Sequence, residues 1–175
     1  QKQNNILVCG VRFMAETAKL LSPQKHVFLS AQNASCALAE QISANEIRRM
    51  KAEHPDAAVV AYINTTAELK AECDICVTSA SAVDIVRKLP EHKVIFVPDC
   101  NLGAWVSSQI PEKEFIFIKG GCPVHMRITP EDVNNARILH PNALVAVHPE
   151  CVSSVSSAAD YVGSTTGIMN FIKNS

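Results

Sequence analysis

The sequence repeats itself at a constant separation of 86 residues, and this repeat constrains the fold more than any other feature. Residues 42–46 match residues 128–132, and residues 54–57 match residues 140–143. No gap is needed between the matched segments, so a chance similarity of helix composition is a poor explanation. A period of this length exceeds a solenoid unit and corresponds to a small domain.

Polar residues that pair across the repeat, close to the ends of predicted strands, are the candidates for a shared site. Equivalent positions in two units are more informative than single polar residues, because each copy would lie at the same place in its unit. Four pairs meet this description: Cys36 with Cys122, Tyr62 with His148, Asn64 with Glu150, and Ser79 with Thr165.

Composition excludes several classes of function. The 16 Lys and Arg residues nearly balance the 17 Asp and Glu residues, so the chain carries no electrostatic footprint for nucleic acid. No basic tract favours a membrane surface, no apolar run is long enough to cross a bilayer, and no signal peptide opens the sequence. We therefore expect a soluble cytoplasmic protein without a nucleic-acid or membrane partner.

Short apolar runs alternate with amphipathic stretches, which is typical of an α/β fold with parallel strands. Several runs are apolar on both faces, as strands covered by helices should be. The predicted strands are 6–9, 26–29, 58–63, 75–77, 94–97, 115–118, 143–147 and 161–162. The predicted helices are 14–21, 44–53, 67–72, 80–89, 103–109, 130–140, 153–159 and 166–173.

The repeat divides these elements into one whole unit and two halves. Residues 55–140 hold four strands and their helices. Residues 1–54 match the second half of that unit, and residues 141–175 match its first half. We interpret the chain as part of a longer protein with three αβα units, each with a four-stranded parallel sheet.

Two pairs of polar residues end equivalent strands, where ligands bind in open α/β sheets. Tyr62 and Asn64 end one strand, and His148 and Glu150 end its counterpart. Residues two apart on an extended segment point to the same side. A histidine beside a carboxylate can exchange protons with a substrate near neutral pH. A single histidine at a strand end is otherwise more often structural.

Ser79 and Thr165 each follow the next strand and precede a helix. A hydroxyl there can hold an anion together with free backbone N–H groups. The alternative is an ordinary N-cap, a position that serine and threonine favour. Their recurrence at matching positions keeps anion binding open.

The seven cysteines are an odd number in strand-like contexts, which fits reduced thiols or metal ligands better than a disulfide framework. In units packed around a pseudo-threefold axis, copies of Cys36 and Cys122 would converge. Converging thiolates favour a soft metal or an iron–sulfur cluster, with buried free thiols as the alternative.

The other cysteines are predicted to be structural. Cys73 and Cys76 form a Cys-X-X-Cys motif, which is a moderate signal for metal or redox chemistry. Their partners across the repeat are not cysteines, so we expect structural burial. Cys9 and Cys100 are also predicted to be structural, and Cys151 to lie near the site without being a ligand.

Six segments together resemble the quinolinate synthase family over nearly the whole chain. They are GVRFMAETAK (10–19), YINTTAE (62–68), VPDCNLG (97–103), CPVH (122–125), HPEC (148–151) and VGSTTG (162–167). The resemblance implies three αβα units around a pseudo-threefold axis and a [4Fe–4S] cluster held by one cysteine of each unit. It also implies condensation of iminoaspartate with dihydroxyacetone phosphate to quinolinate, with loss of phosphate and water, on the route to NAD.

The resemblance carries roles to particular residues. Cys36 and Cys122 match two of the three cluster ligands. Tyr62, His148 and Glu150 match catalytic positions, and the positions matching substrate-binding residues are Tyr62, Asn64, Ser79, His125, His148, Glu150 and Thr165. A functional partner that supplies iminoaspartate, L-aspartate oxidase or aspartate dehydrogenase, is implied as well.

The sequence departs from the family pattern at three positions. Arg12 stands where histidine is usual, Cys100 where lysine is usual, and Ser35 where glycine usually precedes the ligand cysteine. Two alternatives stay open: another three-cysteine cluster enzyme, of the kind that begins diphthamide synthesis, and a non-catalytic module that binds small diacids.

Overall fold

The computed structural model describes residues 2–175, in which eight strands and eight α-helices alternate. The strands are β1 (Asn5–Val8), β2 (His26–Leu29), β3 (Ala57–Tyr62), β4 (Ile75–Val77), β5 (Lys93–Val97), β6 (Glu114–Phe117), β7 (Ala146–Val147) and β8 (Tyr161–Val162). The helices are α1 (Arg12–Leu21), α2 (Ala44–Glu53), α3 (Ala67–Lys70), α4 (Ala82–Lys88), α5 (Cys100–Ser108), α6 (Pro130–Leu139), α7 (Ser153–Ser156) and α8 (Thr165–Lys173). A short 3₁₀ helix, which the sequence did not predict, covers His125–Arg127.

The strands form three sheets whose pairs are all parallel, which confirms the predicted α/β class. The largest sheet has the order β4-β3-β5-β6, and two further two-stranded sheets are formed by β1 with β2 and by β7 with β8. The sheets appear in chain order, so the chain runs through a two-stranded, a four-stranded and a second two-stranded sheet.

The four-stranded sheet is buried on both faces. All six residues of β3 are buried, so this strand is apolar throughout rather than alternating. Val60 and Phe96 pack into a cluster on one face, and Val59 and Ile95 pack into a second cluster on the other. Burial of these apolar side chains away from water is the main contribution to the stability of such a core.

Strand pairing follows the sequence repeat residue by residue. Val60 pairs with Ile75 between β3 and β4, and Ala146 pairs with Tyr161 between β7 and β8. Both members of the second pair lie 86 residues after those of the first. The elements β3-α3-β4-α4 and β7-α7-β8-α8 have the same order. The two segments are therefore structural copies.

A charged side chain is repeated in both copies. Asp74 accepts a hydrogen bond from the backbone N–H of Val59 at 2.8 Å and forms an ion pair with Lys51 at 2.8 Å. Asp160 accepts the backbone N–H of Val145 at 2.8 Å and pairs with Arg137 at 2.8 Å. Every partner lies 86 residues after its counterpart, so the repeat extends to specific polar contacts.

The helices that precede the two copies begin with the same capping box. Ser43 accepts the backbone N–H of Glu46, and the Glu46 carboxylate accepts the backbone N–H of Ser43. Thr129 and Asp132 make the same reciprocal contacts. A capping box satisfies otherwise orphaned N–H groups, which explains why α2 and α6 begin where the sequence predicts.

The strands of the first small sheet match β5 and β6 at a spacing of 88 residues rather than 86. Asn5 pairs with His26 as Lys93 pairs with Glu114. The segment from β2 to Cys36 is two residues longer than the segment from β6 to Cys122, which restores the spacing of 86 at the cysteines.

The small sheets expose apolar residues that their counterparts bury. Leu7 in β1 is 65% exposed, whereas Ile95, its equivalent in β5, is 0% exposed. Exposed large apolar side chains also occur on α1, α6 and α8, including Leu21, Leu139 and Ile172. No helix among residues 2–175 is both long and apolar enough to cross a membrane.

All seven cysteines lie within the described residues, and all are free thiols, as the sequence predicts. Cys73 is partly buried against the cluster of Val59 and Ile95, where burial raises the pKa of its thiol to about 12. Cys76 is exposed, so the expected burial of this residue is wrong. It lies in β4, which forms one edge of the large sheet in the described part of the chain.

Candidate functional site

Six of the seven predicted substrate-binding residues line one cavity of about 380 Å³, and the seventh, Ser79, contacts His148. The cavity is lined by Tyr62, Asn64, His125, His148, Glu150, Thr165, Ile168 and Met169. Tyr62 ends β3, and His148 directly follows β7, so the carboxyl ends of equivalent strands open onto the same space. The tertiary structure thus brings together residues that lie up to about a hundred positions apart in the chain.

Glu150 is the centre of the polar contacts. Its side chain is 4% exposed, and its Oε2 lies 2.8 Å from Nδ1 of His125. These two atoms are close, but no aligned hydrogen bond joins them, since Nδ1 of His125 has no hydrogen-bond partner. Nδ1 of His148 lies 3.9 Å from the other carboxylate oxygen. A buried carboxylate between two imidazoles is positioned to attract a proton or a cation.

His148 is held in one orientation by two neighbours. The backbone N–H of Glu150 points to Nδ1 at 3.4 Å, and Nε2 lies 3.1 Å from Oγ of Ser79. A ring whose Nδ1 accepts carries its neutral-state proton on Nε2. Burial lowers the pKa of His148, and the charge of Glu150 partly offsets this effect. The residue therefore favours the neutral form more than an exposed histidine does.

Tyr62 is a buried proton donor. Burial, followed by a hydrogen bond to Glu150 and the charge of that carboxylate, raises the pKa of the Tyr62 hydroxyl far above its ordinary value. The phenol consequently stays protonated at working pH and can donate to Glu150. Ser79 also hydrogen-bonds this hydroxyl. Tyr62, Ser79, His148 and Glu150 thus form one connected network.

Neither hydroxyl residue that was weighed as an N-cap is one. The N-cap of α4 is Ser81, and Ser79 turns toward His148 instead. The N-cap of α8 is Ser164, which accepts the backbone N–H of Gly167, while Thr165 lines the cavity. The capping alternative is therefore wrong for both residues.

The loop that carries Cys122 is fixed from two directions. The backbone N–H of Cys122 donates to Oδ2 of Asp99 at 3.0 Å. The side-chain amide of Gln41 both donates to the carbonyl of Gly121 and accepts its N–H, each at 2.9 Å. A Cβ atom on Gly120 would lie 2.7 Å from a backbone oxygen, so the loop requires glycine there.

Cys36 and Cys122 pack against the same apolar cluster, the one that contains Phe96. Cys73 packs against the cluster on the opposite face of the sheet. Burial raises the pKa of the Cys122 thiol, and the neighbouring Glu150 carboxylate adds to this effect. Cys151 is buried and close enough to Glu150 for that charge to raise the pKa of its thiol after burial does.

Sequence reasoning did not single out Asp99, Gln41 and Asn101. Asp99 is fully buried and also accepts the backbone N–H of Leu102 at 2.8 Å, which makes it the N-cap of α5. Asn101 donates to the carbonyl of Glu150 at 3.2 Å. An aspartate two residues after the buried strand β5 and directly before a helix was the available signal for Asp99. Gln41 gave none, because its partner lies 80 residues away.

The arrangement itself defines a class of protein. Parallel α/β units, repeated along one chain, bring a carboxylate, two imidazoles and a phenol to a cavity at their strand ends. The Cys122 thiol lies within 4.8 Å of the ligand atoms of His125 and Glu150. Such a site can transfer protons and bind a soft metal or a small anionic ligand.

Comparison with known proteins identifies the family. The family described as "Quinolinate synthetase A protein" matches residues 1–175. Proteins named quinolinate synthase share 50% identity over 166 residues in Aquifex aeolicus and 51% over 172 residues in Methanoregula boonei. A third, from Clostridioides difficile, shares 44% over 174 residues. These alignments cover 95%, 98% and 99% of this chain, but 52%, 57% and 57% of the relatives.

The chain belongs to the quinolinate synthase family, as the six sequence segments indicated. It spans about half the length of the curated relatives that it matches.

Proposed function

We propose that the longer protein to which this chain corresponds is a quinolinate synthase. It condenses iminoaspartate with dihydroxyacetone phosphate to quinolinate, with loss of phosphate and water. The observation that carries this proposal is the cavity in which Tyr62, Asn64, His148 and Glu150, which pair across the repeat, lie together. Similarity to proteins named quinolinate synthase over nearly the whole chain supports it.

Cys36 and Cys122 are proposed as two thiolate ligands of a [4Fe–4S] cluster. Both thiols border one apolar cluster, and Cys122 lies on a loop fixed by Asp99 and Gln41. Thiolates in apolar surroundings on a rigid loop fit such a cluster. A third thiolate would come from another part of the longer protein. When bound, the cluster would supply a Lewis acid through its one iron without a protein ligand.

Protons are moved by His148, Glu150 and Tyr62. His148 favours its neutral form and can accept a proton, while Tyr62 stays protonated and can donate one. Glu150 contacts both and orients them, because its carboxylate lies against the histidine ring and the phenol. Isomerisation and ring closure both require such transfers between carbon, nitrogen and oxygen atoms.

The substrates are anionic, and the remaining residues are proposed to bind them. Asn64 and Thr165 line the cavity with an amide and a hydroxyl. The hydroxyl of Ser79 contacts His148, which lines the same cavity. His125 also lines the cavity and can donate to a carboxylate or phosphate oxygen. These neutral and imidazole donors can hold carboxylate oxygens without fixing a permanent positive charge.

We further propose that residues 55–140 form a whole αβα unit, flanked by half-units at residues 1–54 and 141–175. The apolar residues exposed on the small sheets, such as Leu7, would be covered in the longer protein. This chain alone would consequently be inactive. The protein would work in the cytoplasm, where an L-aspartate oxidase or aspartate dehydrogenase would supply the reactive imine.

The test uses the full-length parent protein, reconstituted anaerobically with iron and sulfide. We expect a [4Fe–4S] signature in the Mössbauer spectrum and quinolinate formation from the two substrates. Cys122→Ala should abolish both, whereas Cys73→Ala should leave most of each, because Cys73 packs on the other face of the sheet. Residues 1–175 alone should form no quinolinate.

Two results would contradict the proposal. Full turnover by residues 1–175 would refute a site that needs a third unit. Tight binding of small diacids by iron-free parent protein, with no turnover after reconstitution, would favour the non-catalytic module.

A further inference from the structure

A thiol, an imidazole and a carboxylate that face one another form a second metal-binding arrangement in this chain. The ligand atoms of Cys122, His125 and Glu150 all lie within 4.8 Å of one another. We propose that, in protein without an iron–sulfur cluster, these three residues bind a single thiophilic divalent ion such as Zn²⁺. This inference goes beyond the proposed function and stands on the geometry of the three side chains.

The distances fit an ion after small side-chain movements. Zn²⁺ binds sulfur at about 2.3 Å and nitrogen or oxygen at about 2.0–2.2 Å, so tetrahedral ligand atoms lie roughly 3.3–3.7 Å apart. Cys122 and His125 are three residues apart on a tight turn, closed by a 2.9 Å hydrogen bond from the Met126 N–H to the Cys122 carbonyl. Glu150 meets them from the loop after β7.

Two features of this group favour a bound cation. Nδ1 of His125 is buried and has no aligned hydrogen-bond partner. The Glu150 side chain is only 4% exposed, so its negative charge is removed from water. A cation between them would neutralise the carboxylate and give Nδ1 a partner. Sulfur and imidazole ligands favour Zn²⁺ or Co²⁺ over Mg²⁺ or Ca²⁺.

Neighbouring residues already orient the ligands. Asp99 holds the backbone of Cys122, Asn101 holds the carbonyl of Glu150, and Tyr62 hydrogen-bonds the Glu150 carboxylate. Such outer contacts commonly change metal affinity by about 10–100-fold when removed. Three protein ligands leave a fourth position, and His125 and Glu150 both line the 380 Å³ cavity, so that position opens to solvent or ligand.

The two metal sites exclude each other, because both would use the Cys122 thiolate. A bound divalent ion therefore blocks cluster assembly until it is removed. Availability of zinc relative to iron would then set the fraction of protein that can acquire the cluster.

The test is an anaerobic Co²⁺ titration of cluster-free residues 1–175 under reducing conditions. We expect one equivalent of Co²⁺ to produce a thiolate charge-transfer band and intense visible bands of tetrahedral cobalt, both displaced by Zn²⁺. Cys122→Ser should remove the charge-transfer band. His125→Gln and Glu150→Gln should each weaken binding by about tenfold or more.

Cys36→Ser and Cys73→Ser are the matched controls, and their cobalt spectra should equal that of the unchanged chain. Cys36→Ser separates the two sites, since it should impair the cluster of the parent protein and spare the cobalt site. Absence of a charge-transfer band, or its equal loss in Cys36→Ser, would overturn the inference. A failed cobalt titration beside a successful cluster reconstitution would leave the proposed function standing. Circular dichroism of each variant checks that it is folded.

Discussion

Replacing Asp99 by asparagine should stabilise the folded protein at neutral pH and change little near pH 4. Asp99 is fully buried, and its carboxylate accepts the N–H groups of Leu102 and Cys122. Removal of a buried acid with two hydrogen bonds would ordinarily be expected to destabilise. Here burial of the negative charge destabilises the folded protein by more than the hydrogen bond from Cys122, which asparagine loses, stabilises it.

The magnitude follows from the proton affinity of the group. Burial, with a smaller contribution from the charge of Glu150, raises the pKa of Asp99 from 3.8 to about 6, although its backbone hydrogen bonds act in the opposite direction. Between these two pH values the unfolded chain has lost the proton that the folded protein still holds. Stability therefore falls as the pH rises from about 4 to about 6. A difference of about two pKa units corresponds to roughly 3 kcal/mol.

Asparagine is uncharged at every pH, as the protonated acid is. Its oxygen can keep the hydrogen bond from Leu102, but its NH₂ group is a donor and cannot accept the N–H of Cys122. Asp99→Asn should thus lie within about 1 kcal/mol of the unchanged protein near pH 4, since one neutral hydrogen bond contributes about that much. At pH 7–8 it should be more stable by about 2 kcal/mol, because relief of the buried charge contributes roughly 3 kcal/mol and the lost hydrogen bond costs about 1 kcal/mol.

The assay is urea unfolding under reducing conditions at pH 4, 5, 6, 7 and 8, with the free energy of unfolding compared between the two proteins. Asp74→Asn is the control with the opposite sign. Burial acts against ionisation of Asp74, but hydrogen bonds from Lys51 and Val59 outweigh it and lower its pKa. That variant should lose most stability at neutral pH and less in acid. A stability difference for Asp99→Asn that is flat, or that shrinks as the pH rises, would refute the reasoning.

Two further predictions test the core and the repeat. Leu38→Ala should lower the free energy of unfolding by about 2–5 kcal/mol in urea, because Leu38 is 1% exposed in the same apolar cluster as Cys36. Leu139 is 74% exposed, so Leu139→Ala should change the same quantity by less than about 0.5 kcal/mol. Ser43→Ala and Thr129→Ala should each lower the free energy of unfolding by about 1 kcal/mol in the same assay, since each removes a capping box of the same kind. A loss confined to one of the two variants would contradict the structural equivalence of α2 and α6.

The repeat and the alternation of apolar and amphipathic segments predicted the order of every strand and α-helix in the described residues. The strands 26–29, 75–77 and 161–162 and the helix 44–53 match in both bounds. Periodicity succeeds here because parallel strands covered by helices are apolar throughout. Errors occur at short elements: α3 and α7 have four residues each, and the 3₁₀ helix at His125 has no apolar period.

The candidate site was predicted in part. Pairing across the repeat brought out Tyr62, Asn64, His148 and Glu150, because strand ends in equivalent units face the same space. The same reasoning could not show that His125 approaches Glu150 at 2.8 Å, since that distance depends on how the loop after β6 folds against β7. It also could not exclude a capping role for Ser79, whose hydroxyl turns instead to a histidine 69 residues away.

The sequence by itself determined the fold class, the repeat and the identity of the polar residues at the strand ends, because these follow from local patterns and a constant spacing. Only the tertiary structure decided which of those residues touch, and which others hold them. Asp99 and Gln41 fix the Cys122 loop through contacts that span 23 and 80 residues. No local pattern encodes such contacts, since they arise when separate elements pack and their buried polar groups must find partners.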